Sequence, residues 1–127
     1  VAVCSQLLQS EIPAMFPKLR WGIIEVTAQW IPYILNDMEL RFERLGKRLS
    51  PTALADNNIF VACPVTDDIG YVVEYAGEDQ IVVGTDYGHG DTSTEIEALR
   101  KIKADGKISA SVADKILDGN ARALYGL

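Results

Sequence analysis

At 127 residues, the chain is long enough for one domain with a real core. Its composition, 48% apolar and 24% charged, is that of a globular protein, and no apolar run approaches the roughly 20 residues of a membrane span. A net charge of −6, with no cluster of basic residues among aromatics, argues against nucleic acid as a partner.

The first residues, Val1-Ala2-Val3-Cys4-Ser5-Gln6, carry no basic stretch, and Glu11 soon interrupts the apolar character, so no signal peptide is read there. The absence of an initiator Met leads to the expectation that the chain was cut from something longer. Cys4 and Cys63 lie far apart in unlike contexts, which predicts two reduced, buried thiols in a cytoplasmic protein.

In chain order, Val3, Leu7, Leu8, Ile12 and Met15 recur at helical spacing, with Pro13 marking a break. Residues 20–26 form a short apolar, β-branched run that predicts a strand. Residues 30–49 predict a helix with a stripe of Ile31, Ile34, Leu35, Met38, Phe42 and Leu45. Ser50-Pro51 reads as an N-cap opening a short turn that Asn57-Asn58 ends. A second strand is expected over 59–63 and a short helix over 67–76, closed by Gly77. A third strand follows over 80–85. Thr92 with Glu95 reads as a capping box, opening a helix to Ala104. Ser111 is expected to cap a last helical stretch, interrupted at Gly119.

All three strands are nearly continuous apolar runs separated by helices. That pattern predicts parallel strands, adjacent and in chain order, buried on both faces. It does not by itself separate a barrel from a doubly wound sheet. The lack of GxGxxG after any strand, and of a P-loop, weighs against the common nucleotide-binding folds.

In either architecture function gathers where strands end. The first strand runs into Glu25, Thr27, Gln29 and Trp30; the second into Cys63, Pro64, Thr66 and Asp67; the third into Asp86, Tyr87, His89 and Asp91. The third places two carboxylates beside the chain's one histidine. A strand-end carboxylate can ligate a divalent metal or take a proton from water. The plainer reading is an N-cap aspartate and a loop histidine. Glu25 reads equally as a solvated strand-end carboxylate, and Trp30 as a packing residue. Cys63 reads as a small buried hydrophobe rather than a nucleophile, since no histidine lies near it in sequence.

Several stretches together resemble a known family. Phe16-Pro17-Lys18-Leu19-Arg20, then Trp30-Ile31-Pro32-Tyr33-Ile34-Leu35, looks like the sixth strand and helix of the amidohydrolase-related family, the hydrolases and decarboxylases of the aminocarboxymuconate-semialdehyde decarboxylase type. Asn58-Ile59-Phe60-Val61 resembles its seventh strand. Gly84-Thr85-Asp86-Tyr87-Gly88-His89-Gly90-Asp91 resembles its eighth-strand signature, S-D-Y-P-H-x-D, and the stretch from Lys115 to Leu127, ending Asn120-Ala121-Arg122-Ala123-Leu124-Tyr125-Gly126-Leu127, its C-terminal helix.

The resemblance implies an α/β fold. Residues 1–127 would form a single C-terminal segment holding the last three βα units of a (β/α)8 TIM barrel, with parallel strands and outer helices. It implies a metal-dependent hydrolase or nonoxidative decarboxylase of small organic acids. Asp86 would face the metal and handle the proton of the attacking water. Glu25, where many members place a histidine and some a glutamate, would be its catalytic companion, and His89 and Trp30 would contact the small-molecule substrate. The implied cofactor is a divalent metal, zinc first.

The family's H-x-H pair and fifth-strand histidine would lie upstream of Val1. This chain is therefore expected to be inactive alone and to hold no tight metal through Asp86 and His89. The alternative is a noncatalytic, self-associating α/β fragment. No membrane partner is expected. A homodimer is expected, on the reasoning that Ile23, Val61 and Val83 line an open inward face.

Overall fold

The computed structural model describes residues 1–90 and 97–127. Among them, β1 (Trp21–Ile23), β2 (Ile59–Ala62) and β3 (Ile81–Val82) form one sheet in that order, both pairings parallel. Trp21, Gly22 and Ile23 stand opposite Ile59, Phe60 and Val61, while Val61 and Ala62 stand opposite Ile81 and Val82. The expected parallel, adjacent, in-order arrangement is what the chain adopts. Each strand is shorter than its apolar run. After β1 the backbone turns positive in φ at Glu25 and Thr27, and after β3 at Asp86. A left-handed residue cannot continue an extended strand.

Around the sheet stand α1 (Ala2–Gln9), α2 (Ile12–Met15), α3 (Ile31–Arg44), α4 (Ala53–Asp56), α5 (Ile69–Ala76), α6 (Ala98–Ala104), α7 (Ala110–Asp114) and α8 (Asn120–Tyr125), with a π-helical turn at Lys115–Gly119. In α3, Pro32 sits in the first turn, where its missing N–H costs nothing. Ile31, Ile34 and Met38 are buried as the stripe requires, but Leu45 is 70% exposed. The helix ends before it, because Gly46 takes φ +68° and the Lys47 N–H donates back to the Phe42 carbonyl.

Two caps shift by two residues. Thr52, not Ser50, stands at the cap position of α4, and Ser109, not Ser111, caps α7 by accepting the Val112 N–H. The capping box expected at Thr92 and Glu95 lies outside the described residues. No helix among the described residues is long and apolar enough to cross a membrane.

The helices cover one face of the sheet. Ile59, Val61, Cys63 and Ile81 are fully buried there with Ile31, Met38, Val72 and Ile116, and Ile23 and Val83 pack against this core. This corrects the expectation that Ile23, Val61 and Val83 look into an open interior. The alternation of a strand makes two faces, and composition alone does not say which one the helices take.

The other face carries Gly22, Phe60 and Val82, and Phe60 and Val82 are also nearly buried. The C-terminal segment supplies part of the cover. A side chain at Gly22 would meet the Leu124 methyl at 3.5 Å. Ile116 joins the helix-side core, while Asn120 Nδ2 donates to the Glu78 and Ile81 carbonyls, each at 2.7 Å. Lys115 adds ion pairs to Glu78 and Asp79. The tail is thus stapled to the start of β3, and the sequence break at Gly119 becomes a π turn inside a continuing helix.

Asn120→Ala strands two backbone carbonyls, one of them in a buried bond. The expected cost is about 1–3 kcal/mol, read as a lower urea midpoint at unchanged slope. A loss under about 0.5 kcal/mol, within the range of ordinary surface substitutions, would show that the tail is held by something else.

Candidate functional site

Parallel strands put all their carboxyl ends on one side, and the residues beyond them meet in a cleft of about 230 Å3. It is lined by Ile24, Glu25 and Thr27 after β1, Ala62 and Pro64 at the end of β2, and Gly84 and Asp86 after β3. Its floor is small and apolar and its rim acidic. Glu25, Cys63 and Asp86 therefore share one end of the sheet, as the strand order requires.

The rim is built on unfavourable backbone. Glu25, Thr27 and Asp86 have φ of +64°, +55° and +51°. Aspartate tolerates the left-handed region, but a β-branched threonine resists it. Each such residue costs on the order of 1–3 kcal/mol and persists only where its surroundings impose it.

The surroundings do so from both sides of Thr27. The Trp30 indole Nε1–H donates to the Val26 and Thr27 carbonyls at 3.1 and 3.0 Å. The Ala28 N–H donates to Asp67 Oδ2 at 2.6 Å, and the Gln29 side-chain amide to Asp67 Oδ1 at 3.4 Å. Asp67 is only 5% exposed and reaches over from the loop after β2.

Asp67 is the residue whose part the sequence did not reveal. Two aspartates precede α5, and one of them, Asp68, caps the helix by accepting the Tyr71 N–H. A second carboxylate beside a filled cap was the available signal.

The structure brings Glu25, Asp86 and His89 together. His89 Nδ1 is 3.0 Å from Asp86 Oδ2 and 3.7 Å from Glu25 Oε1, and one donor atom from each residue lies within 4.8 Å of the other two. Glu25 and His89 are more than half exposed and Asp86 about a quarter. With its proton on Nδ1, His89 donates to Asp86 and turns Nε2 into an acceptor, the arrangement of an oriented acid–base imidazole. The expectation of too few ligands counted Asp86 and His89 alone; Glu25 makes a third.

Trp30 is not among the residues lining the cleft, and its indole clamps the loop that presents Glu25. Asp91 lies outside the described residues.

Cys63 lies fully buried in the helix-side core, where its thiol donates to the Pro64 carbonyl. Burial, with the nearby charges of Asp67 and Asp68, pushes its pKa up to about 12. Burial likewise raises that of Cys4 to about 11. Neither forms a nucleophilic thiolate near neutrality.

The folded pKa values exceed the unfolded ones, so the unfolded chain ionises first as pH rises. Stability tied to these thiols is intact below about pH 9 and falls as pH climbs toward 11 and 12. A thiol reagent at pH 8 should label neither cysteine in the native chain and both in denaturant. Rapid native labelling of Cys63 would reverse its assignment as inert.

No protein-family model and no curated protein matches the chain. Solved structures do. An amidohydrolase, map2389c, from Mycobacterium avium subsp. paratuberculosis K-10 superposes with a TM-score of 0.73 at 22% identity, over 92% of this chain and 30% of that one. The 4-oxalomesaconate hydratase LigJ from Rhodopseudomonas palustris gives 0.72 at 21% identity, over 95% of this chain and 39% of that one. The chain thus spans 30% of the length of the first protein and 39% of the second, and what it shares with them is the fold of its βα units.

Proposed function

We propose that this chain is the C-terminal part of an amidohydrolase-type (β/α)8 barrel, a metal-dependent hydrolase or nonoxidative decarboxylase acting on a small organic acid. The observation that carries the reading is the convergence of Glu25, Asp86 and His89 at the carboxyl end of three parallel strands. The fold likeness to an amidohydrolase and a hydratase supports it. So does the size of the cleft, about 230 Å3, below the range of roughly 300–1,000 Å3 for drug-sized ligands.

The donor set fits a divalent metal: two carboxylates and an imidazole within reach of one centre. Asp86 would hold it with Glu25 and His89, and such an ion supplies Lewis acidity toward a substrate oxygen. The chain's own groups do the rest. Asp86, beside the imidazole, takes the proton of an attacking water or returns one to a carbanion. His89 stands beside Asp86 and keeps its carboxylate oriented, with more than half of its side chain open to solvent. Ile24, Ala62 and Pro64 give the substrate an apolar wall that limits its size.

In this reading the chain alone is inactive, because the remaining barrel strands carry the other ligands. The coding sequence upstream of Val1 should hold an H-x-H pair after an apolar strand, and in the whole protein Asp86→Asn should lower kcat by about 100-fold or more while leaving the fold intact. An upstream sequence with no such pair, or an undiminished Asp86→Asn enzyme, would overturn it.

A second reading, a noncatalytic fragment that self-associates, draws on the exposed apolar side chains Ile24 and Val26 beside the edge strand β1, at 54% and 45% exposure. Edge strands with apolar neighbours favour pairing, and a two-fold dimer is the simplest closed form. Light scattering at low micromolar concentration should then give twice the monomer mass. A clean monomer that unfolds cooperatively would exclude it.

A further inference from the structure

We infer that Thr27 is a ligand-binding residue of the cleft, its hydroxyl donating a hydrogen bond to an uncharged carbonyl oxygen of a small organic molecule. Calling that molecule the substrate rests on the function proposed above; the binding itself does not.

Thr27 stands where its side-chain type is unfavourable. At φ +55° a β-branched residue crowds its own backbone, and glycine or asparagine would sit there with less strain. The conformation is imposed from both sides. The Thr27 carbonyl accepts the Trp30 indole N–H at 3.0 Å, and the next amide, that of Ala28, donates to the buried Asp67 at 2.6 Å. Asp67 donates its own amide to the carbonyl of Pro64, another residue of the cleft lining, so the loops after β1 and β2 are joined at this point. A strained residue fixed this firmly points to a function for its side chain.

Packing does not explain the side chain, because Thr27 is exposed and lines the cleft. An internal hydrogen bond does not explain it either. The hydroxyls of Ser5, Ser10, Ser50, Thr52 and Ser109 each have a partner, whereas that of Thr27 has none among the described residues.

The rest of the lining defines what the hydroxyl can do. Ile24, Ala62, Pro64 and Gly84 bring no polar side-chain atom, and the carboxylates of Glu25 and Asp86 only accept hydrogen bonds. Among the described residues, Thr27 is thus the one side-chain donor that lines the cleft. A carbonyl oxygen entering there finds its side-chain donor at Thr27 and an apolar wall at Ile24, Ala62 and Pro64 for the hydrocarbon beside it. A charged oxygen is served badly by the same wall. Glu25 and Asp86 stand in it, and no Lys or Arg occurs in residues 24–40 or 63–99, the stretches that hold all three strand-end loops. A carboxylate would meet like charge with no basic side chain from these loops to offset it.

The test is a titration of the purified, 15N-labelled chain with succinamide and, separately, with succinate, two molecules of one skeleton that differ in charge. Succinamide should shift the Thr27 and Ala28 amide resonances saturably, with a dissociation constant of about 1 mM, the scale for so small a ligand. Succinate at equal concentration should not. Thr27→Val keeps the shape and the β-branching but removes the hydroxyl. Its urea midpoint should match that of the native chain, while its affinity for succinamide falls roughly two- to tenfold, as expected for one neutral hydrogen bond. Thr27→Ser keeps the donor and should bind like the native chain. So should Thr66→Val, which removes a hydroxyl that also lacks a partner but does not line the cleft. Thr27→Gly should raise the urea midpoint as the strain is relieved, and should bind as weakly as Thr27→Val. No saturable shift with succinamide, native affinity in Thr27→Val, weakened binding in Thr27→Ser or Thr66→Val, succinate bound as tightly as succinamide, or a Thr27→Gly chain less stable than the native one would each overturn the assignment. Succinamide binding does not depend on whether an H-x-H pair lies upstream, so this assignment and the proposed function fail separately.

Discussion

The candidate site depends on one buried carboxylate. Asp67 accepts the Ala28 amide at 2.6 Å and so ties the loop after β2 to the loop after β1. A carboxylate taken out of water must be hydrogen-bonded or it destabilises the fold by several kcal/mol. The tie is therefore hard to break without loosening the chain around it. On the other side of Thr27, the Trp30 indole holds two carbonyls of the same loop. Between these anchors the backbone is kept left-handed at Glu25 and Thr27, and Glu25 is aimed at Asp86 and His89 instead of continuing β1. Strain held by its surroundings in this way is a mark of a preorganised site.

Charge and burial then divide the strand ends between two kinds of work. Glu25, Asp86 and His89 share a rim open to water. Cys63 follows β2 at the same end of the sheet but turns into the helix-side core, where burial keeps its thiol protonated. Sharing an end of the sheet is thus not enough to join the site. The face on which a side chain emerges decides it, and one residue along a strand reverses that face.

The lower part of the sheet obeys a different constraint. A three-stranded sheet has two faces, and α3 and α5 cover only one. The C-terminal segment winds from the helix-side core at Ile116, past the staple at Asn120, to Leu124 against Gly22. Phe60 and Val82 are buried, whereas Ile24 and Val26, near the cleft, stay exposed. Among the described residues, the apolar surface that still lacks cover lies beside the acidic rim, and β1 and β3 each keep one unpaired edge.

The parallel α/β alternation was legible in the sequence because short apolar runs between helical stripes have few other solutions, and the order β1-β2-β3 follows from short connections. Asp86 and Glu25 stood out because they end apolar runs at the side of the sheet where chemistry collects. The eighth-strand signature and the Asn120-to-Gly126 ending carried the family resemblance. Local spacing could not place Glu25 beside His89, 64 positions away in the chain, since only strand pairing and a left-handed turn bring them together. Nor could it tell Asp67 from Asp68, two adjacent acids of which one caps a helix and the other is buried 39 residues from its partner. Ile23, Val61 and Val83 were assigned to the open face because alternation defines two faces and is silent on which one the helices cover. Periodicity encodes which residues share a face. Which face is buried, and which distant loops meet, is decided by how the whole chain packs.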